Sequence, residues 1–465
     1  MTPNLQKIVR TQWLSLGIII AFFVLHIAYI NTPFVNHEYN YREGSQFFLT
    51  QNEELLDDYF QWQANPLTYS YFSSMIVTVL GDHYASYRIL ALLGGTILLI
   101  ILLDRYRNPY LLMIVGLNPL IWIYSGRSHS DLLSAGLVFL ALDMRRNYVF
   151  SGVLAGLAAC VKYHAILVSG GYWAFIWLRD QIREGKIILR NRNFISGLVS
   201  VGFLAIFFLL YKKWFGFLIL PENFSSGYFK LGITNWLNNY YSYSFYLSGM
   251  FFLTIPFHLQ KVSLKWQLSC LAISIPLAIL NQSLGEMLFG GLNPILSREV
   301  ILLIKIVGFW NFMLCISHFW KREDSRVILY TILFFIGILS LARPVQRYLI
   351  FVVPFWAILI HLNMIINKYY KWIYVLILCT LNLFATVYQV ESATASNEIA
   401  QWAVKENIFI NSGVIRAHVG DFSHHKGTSN LLVMEGTNLD QDVLYTKSVN
   451  FFGYPIKQYN VVRVP

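Results

Sequence analysis

Glu38 is the acidic residue best placed to do chemistry, because it follows the first long apolar segment and opens a long polar loop. It lies in the stretch Asn36-His37-Glu38-Tyr39-Asn40-Tyr41. A carboxylate in such a position can take a proton from a hydroxyl group as a general base. We therefore predict that Glu38 is catalytic and that His37 and Tyr41 bind substrate beside it.

Basic and aromatic side chains that could hold an anionic substrate cluster at the ends of three later apolar segments. Arg and Lys bind phosphate through charge-assisted hydrogen bonds, and they stabilise a phosphate that leaves with growing negative charge. Ionisable groups at the edge of hydrocarbon are costly, so each of them is a functional hypothesis. The predicted substrate-binding residues of this group are Arg127, His129, Asp131, Lys162, Tyr163, Arg343, Arg347 and Tyr348.

Structural roles compete with these functional roles. Asp131 follows Ser128 and Ser130 and could cap the next helix, since all three are good N-cap residues. Lys162 ends an apolar segment and could reach the membrane interface along its own aliphatic chain. Glu38 could be an ordinary solvated acid of the loop.

The elements that position these residues are those of a membrane protein. Of 465 residues, 56% are hydrophobic and only 13% are charged, whereas soluble proteins have about 25% charged residues. Apolar segments of about 20 residues can each cross the hydrocarbon core as a helix. We predict thirteen spans, near residues 12–31, 85–103, 108–126, 129–146, 148–164, 165–178, 194–211, 241–258, 266–282, 299–317, 327–342, 348–366 and 372–390.

The distribution of charge predicts an orientation. With a cytoplasmic N-terminus, the inside loops collect most of the Lys and Arg residues, as the positive-inside rule requires, and the first outside loop is acidic. The net charge of +11 is therefore a topology signal, and no nucleic-acid partner is expected. The predicted location is the cell (plasma or inner) membrane, with many passes and the C-terminus outside.

Two domains are predicted. Residues 1–390 form the transmembrane catalytic domain, which includes the outer loop 32–84 with interfacial helices. Residues 391–465 form a small extracytoplasmic domain, with a helix near 396–406 and short strands near 414–419 and 460–464. The predicted fold class is an all-α polytopic membrane protein with a small extracytoplasmic α+β C-terminal segment.

The order of these features resembles the GT-C class of integral-membrane glycosyltransferases. The resemblance rests on the acid of the first outer loop, Asn118-Pro119 followed by Gly126–Asp131, the segment Gly152–Tyr163, and Arg347-Tyr348 with Pro354. It covers roughly residues 10–390. Within this class, the thirteen-span layout with an outer C-terminal domain is similar to that of aminoarabinose transferases and protein O-mannosyltransferases. The region of Lys162 is also similar to the mannosyltransferases of glycolipid-anchor synthesis.

The resemblance implies transfer of a sugar, a mannose-like hexose or a pentose, from a polyprenyl-phosphate donor. The acceptor would be a glycan, lipid or protein at the outer face of the membrane, and direct attack would invert the anomeric centre. Glu38 would be the base, and Lys162 and Arg347 would neutralise the lipid phosphate. The other expected partners are membrane lipids.

The sequence departs from the family in its first loop, where His37-Glu38 replaces the usual acidic pair. A divalent cofactor, Mg²⁺ or Mn²⁺, is therefore left open, with Glu38 and Asp131 as its candidate ligands. Two other classes of function stay open as well. They are a multi-pass transporter or flippase of lipid-linked or small polar substrates, and a polysaccharide polymerase or ligase outside the GT-C class.

Overall fold

The structure is a computed structural model, and it describes most of the chain. The described residues are 3–34, 38–144, 146–185, 191–219, 232–281, 297–342, 345–363, 367–406, 431–435, 443–451 and 454–463. His37, Arg343 and the predicted strand at 414–419 lie outside the described residues.

Helices make up nearly all of the described chain before residue 407. They are α1 (Pro3–Ile27), α2 (Glu38–Thr50), α3 (Glu53–Trp62), α4 (Thr68–Leu80), α5 (Tyr84–Tyr106), α6 (Pro109–Gly116), α7 (Pro119–Ser125), α8 (Ser130–Asp143), α9 (Tyr148–Val161), α10 (Ala165–Glu184), α11 (Arg192–Phe215), α12 (Ile233–Gly249), α13 (Ile255–Leu259), α14 (Leu264–Leu280), α15 (Arg298–Phe319), α16 (Glu323–Leu339), α17 (Val353–Asn363) and α18 (Lys368–Lys405). Short 3₁₀ helices span Phe252–Thr254 and Gln346–Phe351.

Each predicted span falls on helical residues, although not always on one helix. Among the described residues, four helices are long and apolar enough to cross a membrane, namely Tyr84–Tyr106, Arg192–Phe215, Arg298–Phe319 and Tyr369–Ala403. Shorter apolar helices include Gln12–Ile27, Tyr148–Val161, Leu264–Leu280, Ser325–Leu339 and Val353–Asn363. The chain is thus a polytopic membrane protein, while the count of thirteen spans and the orientation of the termini stay predictions.

The predicted third span, 108–126, is broken into α6 and α7. Pro119 has no backbone N–H to continue a helix, and Asn118 takes an extended backbone conformation before it. The Asn118 side chain accepts a hydrogen bond from the Leu120 amide and begins a new helix. The break brings the end of α7 to the loop that carries Arg127, His129 and Asp131.

Helix α8 begins at that loop and packs against α5 so closely that their backbones are in contact. A Cβ atom on Gly136 would lie 2.5 Å from the carbonyl oxygen of Gly94, and one on Gly94 would lie 2.4 Å from that of Leu132. Small residues allow such close helix contacts within membranes. This contact fixes α8, and therefore Asp131, relative to α5.

The helices of the first loop, α2 to α4, form a separate small core. Its buried members include Tyr41, Tyr59, Tyr69, Leu133 at the start of α8 and Val161 at the end of α9. The loop helices therefore cover the ends of α8 and α9. On α4, the side chains of Tyr71, Met75 and Val79 are exposed on one face, a pattern expected of a helix at the membrane interface.

The C-terminal segment contains an antiparallel sheet of three strands, β1 (Leu431–Glu435), β2 (Val443–Phe451) and β3 (Tyr454–Arg463), in the order β1-β3-β2. The tail helix predicted near 396–406 is the end of α18 and is continuous with the last apolar helix. The predicted domain boundary at 390/391 falls inside α18. Trp402 stacks on Tyr445 with ring centroids 4.6 Å apart, so the helix and the sheet pack together.

Candidate active site

Glu38, at the first residue of α2, is fully buried and bound by an arginine from α5. Arg88 Nε donates to Glu38 Oε1 at 2.8 Å, and Arg88 Nη2 donates to Glu38 Oε2 at 2.9 Å. The backbone N–H of Ser128 donates to Oε1 at 2.6 Å. These three donors compensate for the cost of burying a carboxylate.

The other donors of Arg88 bind the chain that follows α1. Nη1 donates to the carbonyl oxygens of Ile30 (2.7 Å) and Thr32 (2.8 Å), and Nη2 donates to that of Pro33 (3.0 Å). A guanidinium group has five N–H donors, and all of its nitrogens have acceptors here. Arg88 therefore links the chain that follows α1 to the start of α2 and fixes the position of the Glu38 carboxylate.

A second buried carboxylate, Asp131 in the first turn of α8, lies between two cations. Its Oδ1 is 3.5 Å from Lys162 Nζ, and its Oδ2 is 3.7 Å from Arg347 Nε. Lys162 and Asp131 are fully buried, and the Arg347 side chain is 15% exposed. The structure thus brings together three predicted site residues from three distant parts of the chain.

Local structure explains how the two cations reach Asp131. Lys162 follows the last residue of α9 and has an extended backbone, in the short turn before α10. Arg347 lies in the 3₁₀ helix Gln346–Phe351, whose preceding residue Val345 donates its backbone N–H to Tyr243 Oη at 2.9 Å.

The aromatic ring of Tyr348 lies close to both cations. Lys162 Nζ lies 4.9 Å and Arg347 Cζ 5.7 Å from the centre of its ring, within the range of cation–π attraction. The ring of His164 stacks on that of Tyr348, with their centres 4.0 Å apart. We refer to Asp131, Lys162, His164, Arg347 and Tyr348 as the cationic group.

The loop Gly126–Asp131 connects the two carboxylates. Ser128 contacts Glu38 through its backbone N–H, and Ser130 Oγ is 3.0 Å from Tyr41 Oη. Asn65 Nδ2 donates to the same Tyr41 oxygen at 3.0 Å. Burial, and secondly the charge of Asp131, raise the pKa of Tyr41 to about 12. Tyr41 is therefore a neutral phenol that holds this loop at neutral pH.

A cleft opens on the Glu38 side of this loop. It is lined by residues of the turn after α1, of α2, α5 and α7, of the loop, and of α18. Its polar lining residues are Tyr29, Thr32, Glu38, Arg88, Arg127, Thr386 and Gln389. Arg127 Nε donates to Gln389 Oε1 at 3.2 Å. Glu38 and Arg88 thus line this cleft, and neither Lys162 nor Arg347 is among its lining residues.

This chain is similar in structure to ArnT. One match is ArnT from Cupriavidus metallidurans bound to undecaprenyl phosphate, with 12% identity and a TM-score of 0.44 over 97% of each chain. The other is the same protein in the apo state, with 11% identity and a TM-score of 0.44 over 98% of each chain. No protein-family model matches the sequence, and no curated protein matches it.

A likeness at this TM-score assigns no substrate, reaction or site residue to this chain. Those must come from its own side chains.

The carboxylates proposed as metal ligands each face cations. Glu38 is bound by Arg88, and Asp131 lies between Lys162 and Arg347, an arrangement that disfavours a divalent ion on either acid. Among the described residues, no three His, Cys, Asp or Glu side chains form a group suited to hold a metal. These side chains do not fit Mg²⁺ or Mn²⁺, so no step proposed below passes through a metal.

The remaining predicted residues lie around this site. His129 sits between Tyr41 and Tyr124, with ring centres 5.5 and 5.2 Å away. Tyr163 packs towards Phe208 at 5.5 Å. The structure disagrees with all three competing structural roles: Lys162 and Glu38 are fully buried, and Asp131 makes no capping hydrogen bond.

Arg88 and Gln389 belong to the site but were not predicted from the sequence. Arg88 carries a signal, because a charged residue near the start of an apolar helix needs a partner. Gln389 carries no such signal, since an amide near the end of a span is common. Only the packing of α18 against the 126–131 loop reveals it.

Proposed function

We propose that this protein is a membrane glycosyltransferase that uses a polyprenyl-phosphate sugar as donor. The observation that supports the proposal is the cationic group. A fully buried lysine and a mostly buried arginine share a single carboxylate at the ends of apolar helices, which suits a phosphate whose hydrocarbon tail lies in lipid. The sugar would be a hexose or a pentose, and the acceptor a glycan, lipid or protein at the outer face of the cell membrane.

In the proposed reaction, an acceptor hydroxyl enters the cleft and gives its proton to Glu38. The acceptor oxygen then forms a bond to the anomeric carbon of the donor, with inversion. The bond between that carbon and the phosphate oxygen breaks, and its electron pair stays on the phosphate. Lys162 and Arg347 stabilise this developing charge, and polyprenyl phosphate is released.

The separate contacts of the two groups support this division of roles. Glu38 lines the cleft, whereas Lys162 and Arg347 contact Asp131, at the end of the Gly126–Asp131 loop. Arg88 holds the Glu38 carboxylate in a single orientation, as is expected of a group that must meet a hydroxyl at a fixed position.

The test is a transfer assay with the full-length protein in proteoliposomes. Polyprenyl phosphates that carry a radiolabelled hexose or pentose are supplied with a cell-membrane extract as acceptor, and the release of polyprenyl phosphate is measured by mass spectrometry. We expect release by the wild type and a loss of at least about 100-fold for Arg347→Gln. Arg298→Gln is the matched control, because Arg298 is exposed at the start of α15.

Movement of intact donor across the liposome membrane without release of polyprenyl phosphate would contradict the proposal and would indicate a transporter. Equal release of polyprenyl phosphate by the wild type and Arg347→Gln would show that Arg347 does not bind the phosphate.

A further inference from the structure

Asp131 occupies an unusual position for a residue of a phosphate site, since it is an anion placed where an anion should bind. It lies at 3.5 Å from Lys162 Nζ and 3.7 Å from Arg347 Nε. A carboxylate there competes with any phosphate for the same two cations. A residue whose only task was to bind the donor would not have a negative charge at this point.

The contacts of Asp131 are loose in comparison with those of Glu38. The Glu38–Arg88 pair has distances of 2.8 and 2.9 Å, within the range of charge-assisted hydrogen bonds. Both Asp131 oxygens, Lys162 Nζ and Arg347 Nε are buried, and none of them makes a hydrogen bond within the described part of the chain. Buried polar atoms in folded proteins normally have hydrogen-bond partners.

Two polar atoms close in sequence to the cations have the same property. His164 Nδ1 and Gln346 Oε1 are buried without a hydrogen bond in the described structure, and His164 stacks on Tyr348. Lys162 Nζ and Arg347 Nε thus keep unused donor capacity. A ligand that supplies several acceptor oxygens can satisfy both donors.

The balance of charge indicates which kind of ligand this is. With all three groups ionised, Asp131, Lys162 and Arg347 sum to one positive charge. A phosphate monoester carries about −1.5 to −2 at neutral pH and has three strong acceptor oxygens. It can satisfy both cations with short hydrogen bonds, which the two carboxylate oxygens do not do here.

We propose that the Asp131 carboxylate is an internal stand-in for the phosphate, bound to Lys162 and Arg347 when the site is empty and displaced from them when a phosphate monoester binds. This inference rests on the proposed function and adds a regulatory role for one residue of that site. Asp131 keeps the two cations paired in the empty site and lowers the affinity for the product, so that polyprenyl phosphate can leave.

The stand-in role predicts that phosphate binding changes in the opposite direction from that expected for a ligand-binding or purely structural Asp131. If the cations are available only in the fraction of molecules where Asp131 has moved away, the apparent dissociation constant is the intrinsic one divided by that fraction. Removal of the carboxylate charge should then tighten phosphate binding. A ligand-binding or purely structural Asp131 should instead weaken it when changed.

The experiment measures binding of undecaprenyl phosphate to the purified full-length protein in detergent, with Asp131→Asn as the test variant. We expect its dissociation constant to fall about tenfold or more. Multiple-turnover transfer should slow because product release is slow, while the first turnover of transfer proceeds at its normal rate. Asp57→Asn, an exposed acid of α3, is the matched control and should bind as the wild type does.

Two further measurements are made. Competition by inorganic phosphate shows how much the apolar tail contributes to affinity, and Lys162→Met distinguishes failure of the proposed function from failure of the stand-in role. Inorganic phosphate as a competitor should displace the lipid only at much higher concentration, since it lacks the apolar tail. Lys162→Met should weaken lipid binding. If the wild type does not bind undecaprenyl phosphate, both the proposed function and this inference fail. If it binds, and Lys162→Met weakens binding but Asp131→Asn also weakens it or leaves it unchanged, only the stand-in role fails.

A second measurement does not depend on any variant. In a structure of the wild type with undecaprenyl phosphate, the phosphate should contact Lys162 Nζ and Arg347 Nε, and the Asp131 carboxylate should be displaced from both. A carboxylate that remains at its present distances from both cations while phosphate is bound would overturn the inference.

Discussion

The guanidinium group of Arg88 holds the carboxylate of Glu38 with two parallel hydrogen bonds of 2.8 and 2.9 Å, and both side chains are buried. The same guanidinium binds three carbonyl oxygens of the chain after α1. Glu38 in turn accepts the Ser128 amide. One ion pair therefore joins α1, α2, α5 and the loop that leads to Asp131.

Removal of Arg88 should destabilise the fold. Arg88→Met leaves the Glu38 carboxylate buried without its cation, which typically costs about 3–5 kcal/mol. Thermal unfolding in detergent would show this as a large fall in the transition temperature. The double variant Glu38→Met/Arg88→Met should recover much of the loss, because no unpaired charge remains. A double variant as unstable as Arg88→Met alone would contradict this account of the pair.

Glu38→Gln tests the proposed base and keeps the size of the side chain. The amide oxygen can accept from Arg88 Nε and the Ser128 N–H in place of Oε1, but the amide cannot take up a proton, so we expect transfer to fall by about 10²–10⁴-fold. Binding of undecaprenyl phosphate should persist, since Lys162 and Arg347 pair with Asp131. Glu54→Gln, an exposed acid of α3, should transfer normally. Full activity of Glu38→Gln would show that another group is the base.

Hydropathy predicted where the helices lie but not how their ends meet. Apolar periodicity reports burial and length, and it located the ends at which Asp131, Lys162 and Arg347 occur. Their mutual distances depend on the Asn118-Pro119 break and on the close contact of Gly94 with Gly136. These are properties of the three-dimensional packing, and a single sequence does not specify the partner of each charge.

The same limit explains the treatment of Glu38 and Arg88. The sequence analysis emphasised the acid because its loop is polar, and it did not link the acid to a residue fifty positions away. A charge inside an apolar helix requires a partner, but the choice among several acids is set by the fold. The continuity of α18 through residue 391 was also hidden, because polarity changes along this helix while its backbone conformation does not.

The contact between α5 and α8 should tolerate no side chain at Gly136. In Gly136→Ala the new methyl group would lie 2.5 Å from the Gly94 carbonyl oxygen, so the helices must separate. Overpacking of this kind typically lowers the free energy of unfolding by about 1–3 kcal/mol. The shift of α8 should also reduce the rate of sugar transfer. Gly202→Ala in α11 is the matched control, because its methyl group would meet nothing within 4 Å. An equal thermal stability of the two variants would contradict the proposed close packing.

Glu43, on α2, should make stability depend on pH. Burial, and secondly the charge of Asp58, raise the pKa of Glu43 from 4.5 to about 8. Between these two pH values the folded protein binds a proton that the unfolded chain has lost, so stability decreases as pH rises. Glu43→Gln removes this dependence while keeping an acceptor for Asn40, which donates to Glu43 Oε2 at 3.3 Å.

The measurement for Glu43 is the difference in transition temperature between Glu43→Gln and the wild type. The transition temperature of Glu43→Gln, relative to that of the wild type, should be higher at pH 8 than at pH 4.5. Glu54→Gln controls for the general loss of one negative charge. A difference that does not change over this range would show that the Glu43 pKa is not raised in the folded protein.

Gln389 should contribute to the acceptor side of the site from the last long helix. It accepts a hydrogen bond from Arg127 Nε at 3.2 Å in the cleft that Glu38 also lines. Gln389→Leu removes this hydrogen bond from Arg127. A hydrogen bond to a charged group typically contributes about 1.5–3 kcal/mol to the free energy of the folded state. We expect transfer to need a higher acceptor concentration, while binding of undecaprenyl phosphate at the cationic group is unchanged. Gln401→Leu changes an exposed glutamine of the same helix and should have neither effect, so equal kinetics for the two variants would exclude Gln389 from the acceptor site.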